Sequence, residues 1–307
     1  MIKLRNILFT LFSLATTLFL SGCNLGILDP KGIIAADEKR LLIDSVLLML
    51  IVVIPAIVLT LLFAWRYREG NTSAKYDPNW YHSTTLEIIV WTIPCIIIGI
   101  LAVVTWVTSH TLDPYKPLAS NTKPITIQAI ALNWKWLFIY PDQKIATINY
   151  VQIPVNVPVK FLITADAPMN SFEMPQLAGQ IYAMAGMQTK LNIMANEPGD
   201  YRGFSSNFSG LGFSDMNFTV RATTQDSFNQ WVDNVQQSPQ TLTASAYNKL
   251  VEPSENNPTQ YFSVPNTDLY GLVLMKYMMP MDGSMKGMNM AYASNTANSS
   301  QATAANN

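Results

Sequence analysis

Two long uncharged runs in the first third of the chain constrain its fold more than any other feature. Residues 46–65 and 88–107 contain no Asp, Glu, Lys or Arg. The hydrocarbon core of a bilayer is ~30 Å thick, and a helix of about 20 residues spans it. Because lipid offers the backbone no hydrogen-bond partners, both runs are expected to be helical. The sequence therefore predicts an antiparallel hairpin of two transmembrane helices.

The composition agrees with a membrane protein and excludes one class of partner. Only 13% of the 307 residues are charged, whereas soluble proteins have roughly 25%. The formal net charge is −1, and the sequence has no dense cluster of Lys and Arg. A nucleic-acid-binding protein would need such a basic patch, so nucleic acid is not an expected partner.

The N-terminus has the pattern of an export signal. Lys3 and Arg5 precede an apolar run at 7–20 that ends in the small residues of "LSGC". This pattern predicts a signal peptide over 1–22. The ending resembles the bacterial lipobox, in which the cysteine, here Cys23, becomes the lipidated first residue of the mature protein. An ordinary signal peptide with an incidental cysteine is the alternative.

Export of the N-terminus sets the orientation of the hairpin. The segment 23–40 is then periplasmic, the hairpin occupies 41–110, and the chain beyond it lies outside again. Arg66, Arg68 and Lys75 lie in the loop between the two runs, and positive charge favours a cytoplasmic loop. The predicted location is the inner membrane of a Gram-negative bacterium, with lipids as direct neighbours.

The remainder of the chain has three parts. Short β-branched or alternating segments such as "ITIQAIAL", "VKFLITAD" and "MNFTVRAT", separated by turn signals, predict a β-sandwich or barrel within 111–225. Two helical patterns with Ser or Thr caps, "SFNQWVDNVQQ" and "TASAYNKLV", predict a C-terminal helical arm within 226–282. The polar, low-complexity tail at 283–307 is predicted to be disordered.

The loop at 205–216, "SSNFSGLGFSDM", carries a family resemblance. A two-helix hairpin followed by an exported β-domain with a "Gly…Met" loop resembles subunit II of the haem-copper respiratory oxidases, whose outer domain is a cupredoxin. In the cytochrome c oxidase branch, this loop reads Cys-x-Glu-x-Cys-x-x-x-His-x-x-Met and, with one upstream His, holds the dinuclear CuA centre. Anchored on Met216, the pattern puts Ser205 and Ser209 at the Cys positions, Asn207 at the Glu, Phe213 at the His, and Asn170 at the upstream His.

The residues at these positions exclude a CuA centre. Thiolates and imidazoles hold copper, and a hydroxyl or a phenyl ring does not replace them. Cys95 lies inside a predicted span, Cys23 lies at the anchor, and no His follows His110. We therefore expect no metal and no cofactor in this chain.

The quinol-oxidase branch of the family lacks CuA, and the resemblance extends to it. The segments "ALNWKWLFIYPDQKIATIN", "SFEMPQLAGQIYAMAGMQTKLN" and "SNFSGLGFSDMNF" are similar to subunit II of the cytochrome bo-type ubiquinol oxidases. The resemblance implies a non-catalytic subunit of a proton-pumping oxidase that transfers electrons from ubiquinol to oxygen. It also implies haem b, haem o and CuB in subunit I, subunits III and IV as further partners, and no reaction with cytochrome c.

Several residues carry further expectations. The resemblance places Glu87 at the entrance of a proton pathway into subunit I, and the alternative is an acid that stabilises a helix start. Trp134 and Trp136 are expected to pack against subunit I. A copper(I) site among the methionines at 278–290 is the less favoured interpretation of that cluster. His82 and His110 are lone interfacial residues and are expected to be solvated rather than catalytic.

Two other functions remain open at this point. One is a cytochrome c oxidase subunit with a divergent copper site, which the ligand count opposes. The other is a membrane-tethered binding or assembly lipoprotein that uses the sandwich as a docking module.

Overall fold

A computed structural model of the chain describes residues 26–75, 78–264 and 268–278. The predicted signal peptide, the lipidation site Cys23 and the tail predicted to be disordered lie outside these residues.

The hairpin consists of two long helices, α1 (Ile33–Arg66) and α2 (Thr84–Thr111). Both are long and apolar enough to cross a membrane, and each continues through an internal proline. At ~1.5 Å per residue, the 34 residues of α1 exceed what a bilayer core requires. The helix starts well before the uncharged run at 46–65, so its first turns project from the bilayer on the side of the β-domain.

The outer domain is a β-sandwich with small C-terminal helices, as the sequence predicted. Its sheets have the strand orders β11-β3-β2-β1-β5-β8 and β4-β10-β9-β6-β7. The strands are β1 (Ile125–Leu132), β2 (Lys135–Tyr140), β3 (Ile145–Ile148), β4 (Tyr150–Pro154), β5 (Val159–Ala165), β6 (Asn170–Met174), β7 (Ala178–Ala183), β8 (Thr189–Ile193), β9 (Gly199–Ser205), β10 (Asn217–Thr223) and β11 (Gln260–Ser263). The helices are α3 (Gln225–Gln236), α4 (Ala244–Val251) and α5 (Leu269–Met278).

An aromatic cluster forms the centre of the core between the two sheets. Trp136 and Phe138 of β2 meet Phe172 of β6 and Phe218 of β10, and all four side chains are almost completely buried. The rings of Phe172 and Phe218 stack with centroids 5.0 Å apart and an interplanar angle of 4°. Trp136 meets Phe172 edge-on at 5.0 Å. Such pairs contribute roughly 0.5–1.5 kcal/mol beyond the burial of their area.

A second core lies on the outer face of the six-stranded sheet, where the C-terminal arm covers it. Leu137 and Ile139 of β2 are buried there together with Tyr247 of α4 and Tyr270 of α5. Because the arm covers one face of β2 and the other sheet covers its second face, all six residues of β2 are buried. A strand buried on both faces shows no alternation of polar and apolar residues.

The chain crosses from one sheet to the other at Asn149. The segment 145–153 forms two strands, because Asn149 adopts the left-handed conformation with φ 55°. Its side-chain oxygen accepts a hydrogen bond from the Trp136 N–H at 2.8 Å, and its amide donates to the Asn257 carbonyl. Asparagine tolerates this conformation better than β-branched residues do, so it places β3 and β4 in different sheets.

Hydrogen bonds fix the sandwich to both helices of the hairpin. Before α1, the N–H groups of Lys31 and Gly32 donate to the Gln176 carbonyl at 2.7 and 3.0 Å. After α2, the Pro114 carbonyl accepts from the side chain of Asn192 at 3.0 Å. The chain segments on both sides of the hairpin are therefore attached to the same end of the sandwich.

Candidate functional site

The loop at 205–216 connects β9 to β10 and includes a short 3₁₀ turn at Leu211–Asp215. Hydrogen bonds close its base, because the Ser205 N–H donates to the Met216 carbonyl at 3.1 Å and the Ser206 N–H to the Ser171 carbonyl at 3.2 Å. The loop therefore extends from the end of one sheet, next to β6.

Two of the positions that correspond to copper ligands bond to each other. The Ser205 hydroxyl donates to the side-chain oxygen of Asn170 at 3.0 Å. Asn170 also donates from its amide to the Pro168 carbonyl at 2.7 Å. Both residues are nearly fully buried. The pair links β9 to β6 through a neutral hydrogen bond.

The other aligned positions each make a different contact. The Asn207 amide donates to the Met169 carbonyl at 2.9 Å. The Phe213 ring packs edge-on against Phe208 with centroids 5.6 Å apart. Met216 is 1% exposed and belongs to the core. The hydroxyl of Ser209 is buried without a hydrogen-bond partner among the described residues.

The Trp134 side chain stabilises the loop. Trp134 lies in the turn between β1 and β2 with φ 63°, a conformation that costs a bulky residue about 1 kcal/mol or more. Its indole N–H donates to the Ser209 carbonyl at 3.2 Å. A Cβ atom on Gly212 would lie 2.7 Å from the indole ring, and one on Gly210 3.1 Å from it. The two glycines thus let the loop backbone approach the ring closely.

The donor set of this loop does not fit a CuA centre. Asn170, Ser205, Asn207 and Phe213 supply amide, hydroxyl and phenyl groups, and copper prefers thiolate and imidazole. Across residues 26–75, 78–264 and 268–278, no group of three or more His, Cys, Asp and Glu side chains is arranged to hold a metal. The arrangement is suited to rigid packing and not to electron transfer through a metal.

The prediction that Trp136 contacts subunit I is wrong. Its side chain has 0% exposure, and it lies inside the core against Phe172 and Phe218. A side chain without exposed surface cannot contact a second subunit. Trp134, by contrast, lies in the turn before β2 and only packs against the edge of this core. Trp134 is partly exposed, and its contact with subunit I stays a prediction.

Glu87 lies in the first turn of α2 with 55% of its side chain exposed. Its Oε1 atom is 2.7 Å from Nδ1 of His82, and Nε2 of the same ring is 3.1 Å from the Thr84 hydroxyl. His82 therefore has a partner and is not a lone residue, but its side chain is 51% exposed, as expected for a solvated one. The spacing of five residues across a helix start, with Ser83 as the N-cap, was the available signal for this pair. The other histidine, His110, donates from Nδ1 to the Trp106 carbonyl of its own helix at 2.7 Å.

Sequence reasoning missed a buried carboxylate, Asp166, which follows β5. It accepts hydrogen bonds from the Tyr247 hydroxyl at 2.7 Å, from Lys276 at 2.7 Å and from the Tyr277 hydroxyl. Burial alone would raise the pKa of Asp166, but these bonds more than offset it and hold the pKa below its ordinary value. An acid directly after a strand of buried residues was the available signal. Its partners lie about 80 to 110 residues away in sequence.

Comparisons with known proteins agree with this architecture. Residues 143–223 match the family model for the periplasmic domain of cytochrome c oxidase subunit II, and residues 236–281 match the COX aromatic rich motif. The sandwich is also similar to the periplasmic domain of subunit II of a cytochrome oxidase from Bradyrhizobium japonicum, with 22% identity and a TM-score of 0.36 over 38% of this chain and 96% of that one.

Two relatives match nearly the whole length of the chain. It is 53% identical to the cytochrome bo(3) ubiquinol oxidase subunit 2 of Pseudomonas aeruginosa, over 86% of this chain and 80% of that protein. It is 52% identical to the ubiquinol oxidase subunit 2 of Acetobacter aceti, over 88% of this chain and 89% of that protein. With such identity across hairpin, sandwich and arm, the chain belongs to the family of subunit 2 of the bacterial ubiquinol oxidases.

Proposed function

We propose that the chain is the copper-free subunit 2 of a proton-pumping ubiquinol oxidase, in which it supports the catalytic subunit without carrying a redox group. As a member of this family, the chain is one component of an oxidoreductase complex with partner subunits. Its hairpin would pack beside subunit I in the inner membrane, and its sandwich would cover the periplasmic face of that subunit. Haem b, haem o and CuB would all belong to subunit I, and subunits III and IV would complete the complex.

The hydrogen bond between Ser205 and Asn170 is the observation that carries this proposal. A CuA centre accepts electrons from a soluble donor. A loop that has a hydroxyl and an amide in place of the copper ligands cannot accept these electrons through a metal. The bond itself, at 3.0 Å, ties two strands in a buried position. This arrangement favours a membrane-soluble donor, ubiquinol, over cytochrome c.

An assay of the purified complex with both donors tests the proposal. We expect oxygen consumption with ubiquinol and none above background with reduced soluble cytochrome c. Electron paramagnetic resonance should show no mixed-valence binuclear copper signal. Oxidation of cytochrome c, or that copper signal, would contradict the proposal. Purification without haem and without a catalytic subunit would instead favour a free binding or assembly lipoprotein.

We extend the proposal to proton entry at Glu87. The carboxylate lies at the end of α2 that the predicted orientation puts in the cytoplasm, and more than half of its surface is exposed. Its contact with His82 supports the proposal because it restrains the carboxylate at the mouth of the hairpin. Ionisable groups at such positions commonly mark proton pathways.

Replacement of Glu87 by Gln should slow steady-state turnover while the complex still assembles with its full haem content. Glu69→Gln is the matched control, because Glu69 is an exposed acid in the connection between the two helices. If both substitutions slow turnover equally, or if neither slows it, a specific role for Glu87 is excluded.

Acylation of Cys23 also stays a proposal, and the residue lies outside the described part of the chain. The mass of the N-terminal peptide of the purified subunit tests it. A diacylglyceryl thioether on Cys23 would support it, and an unprocessed N-terminus would contradict it.

A further inference from the structure

A cleft of about 700 Å³ lies where the hairpin joins the sandwich. We call it the junction cleft. Three parts of the chain line it: the first turns of α1, the end of α2 with the connection to β1, and the edge formed by β7 and β8. This volume falls in the range of roughly 300–1,000 Å³ that is typical of small-molecule sites.

The three walls of the junction cleft are fixed by contacts of their own. The segment before α1 is bonded to Gln176 through Lys31 and Gly32. The connection after α2 is bonded through the Pro114 carbonyl to the backbone and side chain of Asn192. Glu38 of α1 accepts a hydrogen bond from the Gly179 N–H. The cleft is therefore already formed in the isolated subunit.

The depth of the junction cleft corresponds to the lipid headgroup layer. Asp44 of α1 and Thr108 of α2 both line it. Asp44 lies two residues before the uncharged run at 46–65, and Thr108 directly follows the run at 88–107. Arg40 lies one turn further out, about 6 Å along the helix. The polar layer on each side of the hydrocarbon core is roughly 5–8 Å thick. Arg40 and Asp44 thus lie at the height of phosphate and headgroup.

The charges in the cleft suit a zwitterionic headgroup. Its lining includes four acids and two bases: Asp37, Glu38, Asp44, Asp113, Arg40 and Lys116. Among the described residues, no ion pair within 4 Å involves any of these six side chains. An excess of acids disfavours an anionic lipid, whereas Arg40 offers a guanidinium suited to a phosphate. The apolar side chains of Leu41 and Val104, which also line the cleft, can contact the upper part of an acyl chain.

We propose that the junction cleft binds one phospholipid with a primary ammonium group from the outer leaflet of the inner membrane. Arg40 binds its phosphate, and Asp44, one helical turn away, binds its ammonium. The ethanolamine bridge is two carbons long, so phosphate and ammonium can contact side chains one helical turn apart. The proposal depends on the membrane placement of the hairpin and not on the oxidase activity.

Lipid binding to the complete complex tests this proposal. The complex is delipidated in mild detergent, titrated with phosphatidylethanolamine or phosphatidylglycerol, and examined by native mass spectrometry. Arg40→Gln and Asp44→Asn remove single charges from exposed positions of α1. Lys39→Gln is the matched control, because Lys39 lies on the same turn but does not line the cleft. Thr108→Trp fills the cleft from the other helix.

The tightest phosphatidylethanolamine site should weaken about tenfold in Arg40→Gln, as expected for loss of a hydrogen bond between charged groups, and should be unchanged in Lys39→Gln. Asp44→Asn should reduce the preference for phosphatidylethanolamine over phosphatidylglycerol. Thr108→Trp should abolish the site while haem and partner subunits still co-purify. Equal affinities in Arg40→Gln and Lys39→Gln would overturn the proposal, as would a wild-type preference for phosphatidylglycerol. If the Thr108→Trp complex loses subunit I while lipid binding by the other variants is unchanged, the cleft is a contact site for a partner subunit. That result would also overturn the proposal.

Discussion

At the scale of single residues, buried polar side chains link elements that are distant in sequence. Asn170 and Ser205 join two strands, and Asp166 joins the sandwich to its C-terminal arm through α4 and α5. The Asp166 side chain is 1% exposed. A buried carboxylate is stable in such a place only when its oxygens are hydrogen-bonded, so removal of Asp166 should affect the arm before it affects the core.

Asp166→Ala should loosen the arm, because Tyr247, Lys276 and Tyr277 all lose their acceptor. A local destabilisation of about 2 kcal/mol corresponds to a roughly 30-fold larger open population. Tryptic cleavage within 249–276, followed by mass spectrometry of the complex, would measure it. Asp166→Asn should have a smaller effect, since its amide oxygen still accepts. Asp215→Ala, at an exposed acid on the opposite loop, is the control, and equal cleavage in both alanine variants would contradict this role.

The pH dependence of the same contact has a definite sign. The folded-state pKa of Asp166 lies below its ordinary value, so its stabilising contribution is complete above the unfolded-state pKa of about 4 and is lost as the pH falls through the folded value. Protection of the arm against a protease should therefore not change between pH 8 and pH 5. A loss of protection in that range that is absent from Asp166→Asn would contradict this assignment.

At the scale of elements, the sequence predicted what depends on local patterns. The two spans followed from the length of uncharged runs, and β1 coincides with the predicted segment "ITIQAIAL". Thr243 caps α4 as the pattern indicated. The predicted cap of α3, Ser227, was wrong, because the N-cap is Thr224, whose hydroxyl accepts from the Ser227 N–H inside the helix. A Ser or Thr before a helical pattern is informative because its oxygen bonds the first free N–H groups.

The elements that sequence reasoning missed depend on distant contacts. The segment 135–140 shows no alternation, because the arm more than a hundred residues later covers its outer face. For the same reason Trp136 could not be assigned to the core from its neighbours alone. The division of 145–153 into two strands depends on Asn149, whose partners are Trp136 and Asn257. A local window of sequence contains neither the segment that covers a sheet nor the residues that form hydrogen bonds with a turn.

The loop at 205–216 is an element whose shape depends on its glycines. Gly212→Ala would bring a Cβ atom to 2.7 Å from the Trp134 ring and 2.8 Å from the Glu255 side chain. Such overpacking costs about 1–3 kcal/mol, so the melting temperature of the sandwich should fall by roughly 2–10 °C. Differential scanning fluorimetry of the purified complex measures the shift. Gly70→Ala is the control, because no heavy atom lies within 4 Å of its added Cβ.

A different result would revise the view of this loop. If Gly212→Ala and Gly70→Ala melt at the same temperature, the loop backbone moves away from the added Cβ atom without cost. The Trp134 ring then does not fix the conformation of the loop. In that case the exposed apolar tip formed by Phe208 and Leu211 would be mobile, and a contact of Trp134 with subunit I would lose its structural basis.

At the scale of the whole molecule, the orientation of the sandwich above the membrane depends on two attachments at one end of the domain. The segment before α1 pairs with the sheet through Gly32 and Ala195, and Asn192 binds the connection after α2. Two attachments restrain rotation about either one.

Gly32→Ala tests the first attachment. The added Cβ would lie 2.5 Å from the Leu177 carbonyl oxygen and 3.0 Å from the Met194 carbonyl oxygen, and neither backbone atom can move without shifting its strand. The bonds from Lys31 and Gly32 to Gln176 should open, so tryptic cleavage after Lys31 should become about tenfold faster, as expected for the loss of one or two hydrogen bonds. The melting temperature of the sandwich should stay constant, because its core is not involved. Gly26→Ala is the matched control, since its Cβ would meet the nearest atom at an ordinary 3.5 Å. If both variants are cleaved at the wild-type rate, the second attachment alone determines the orientation of the domain.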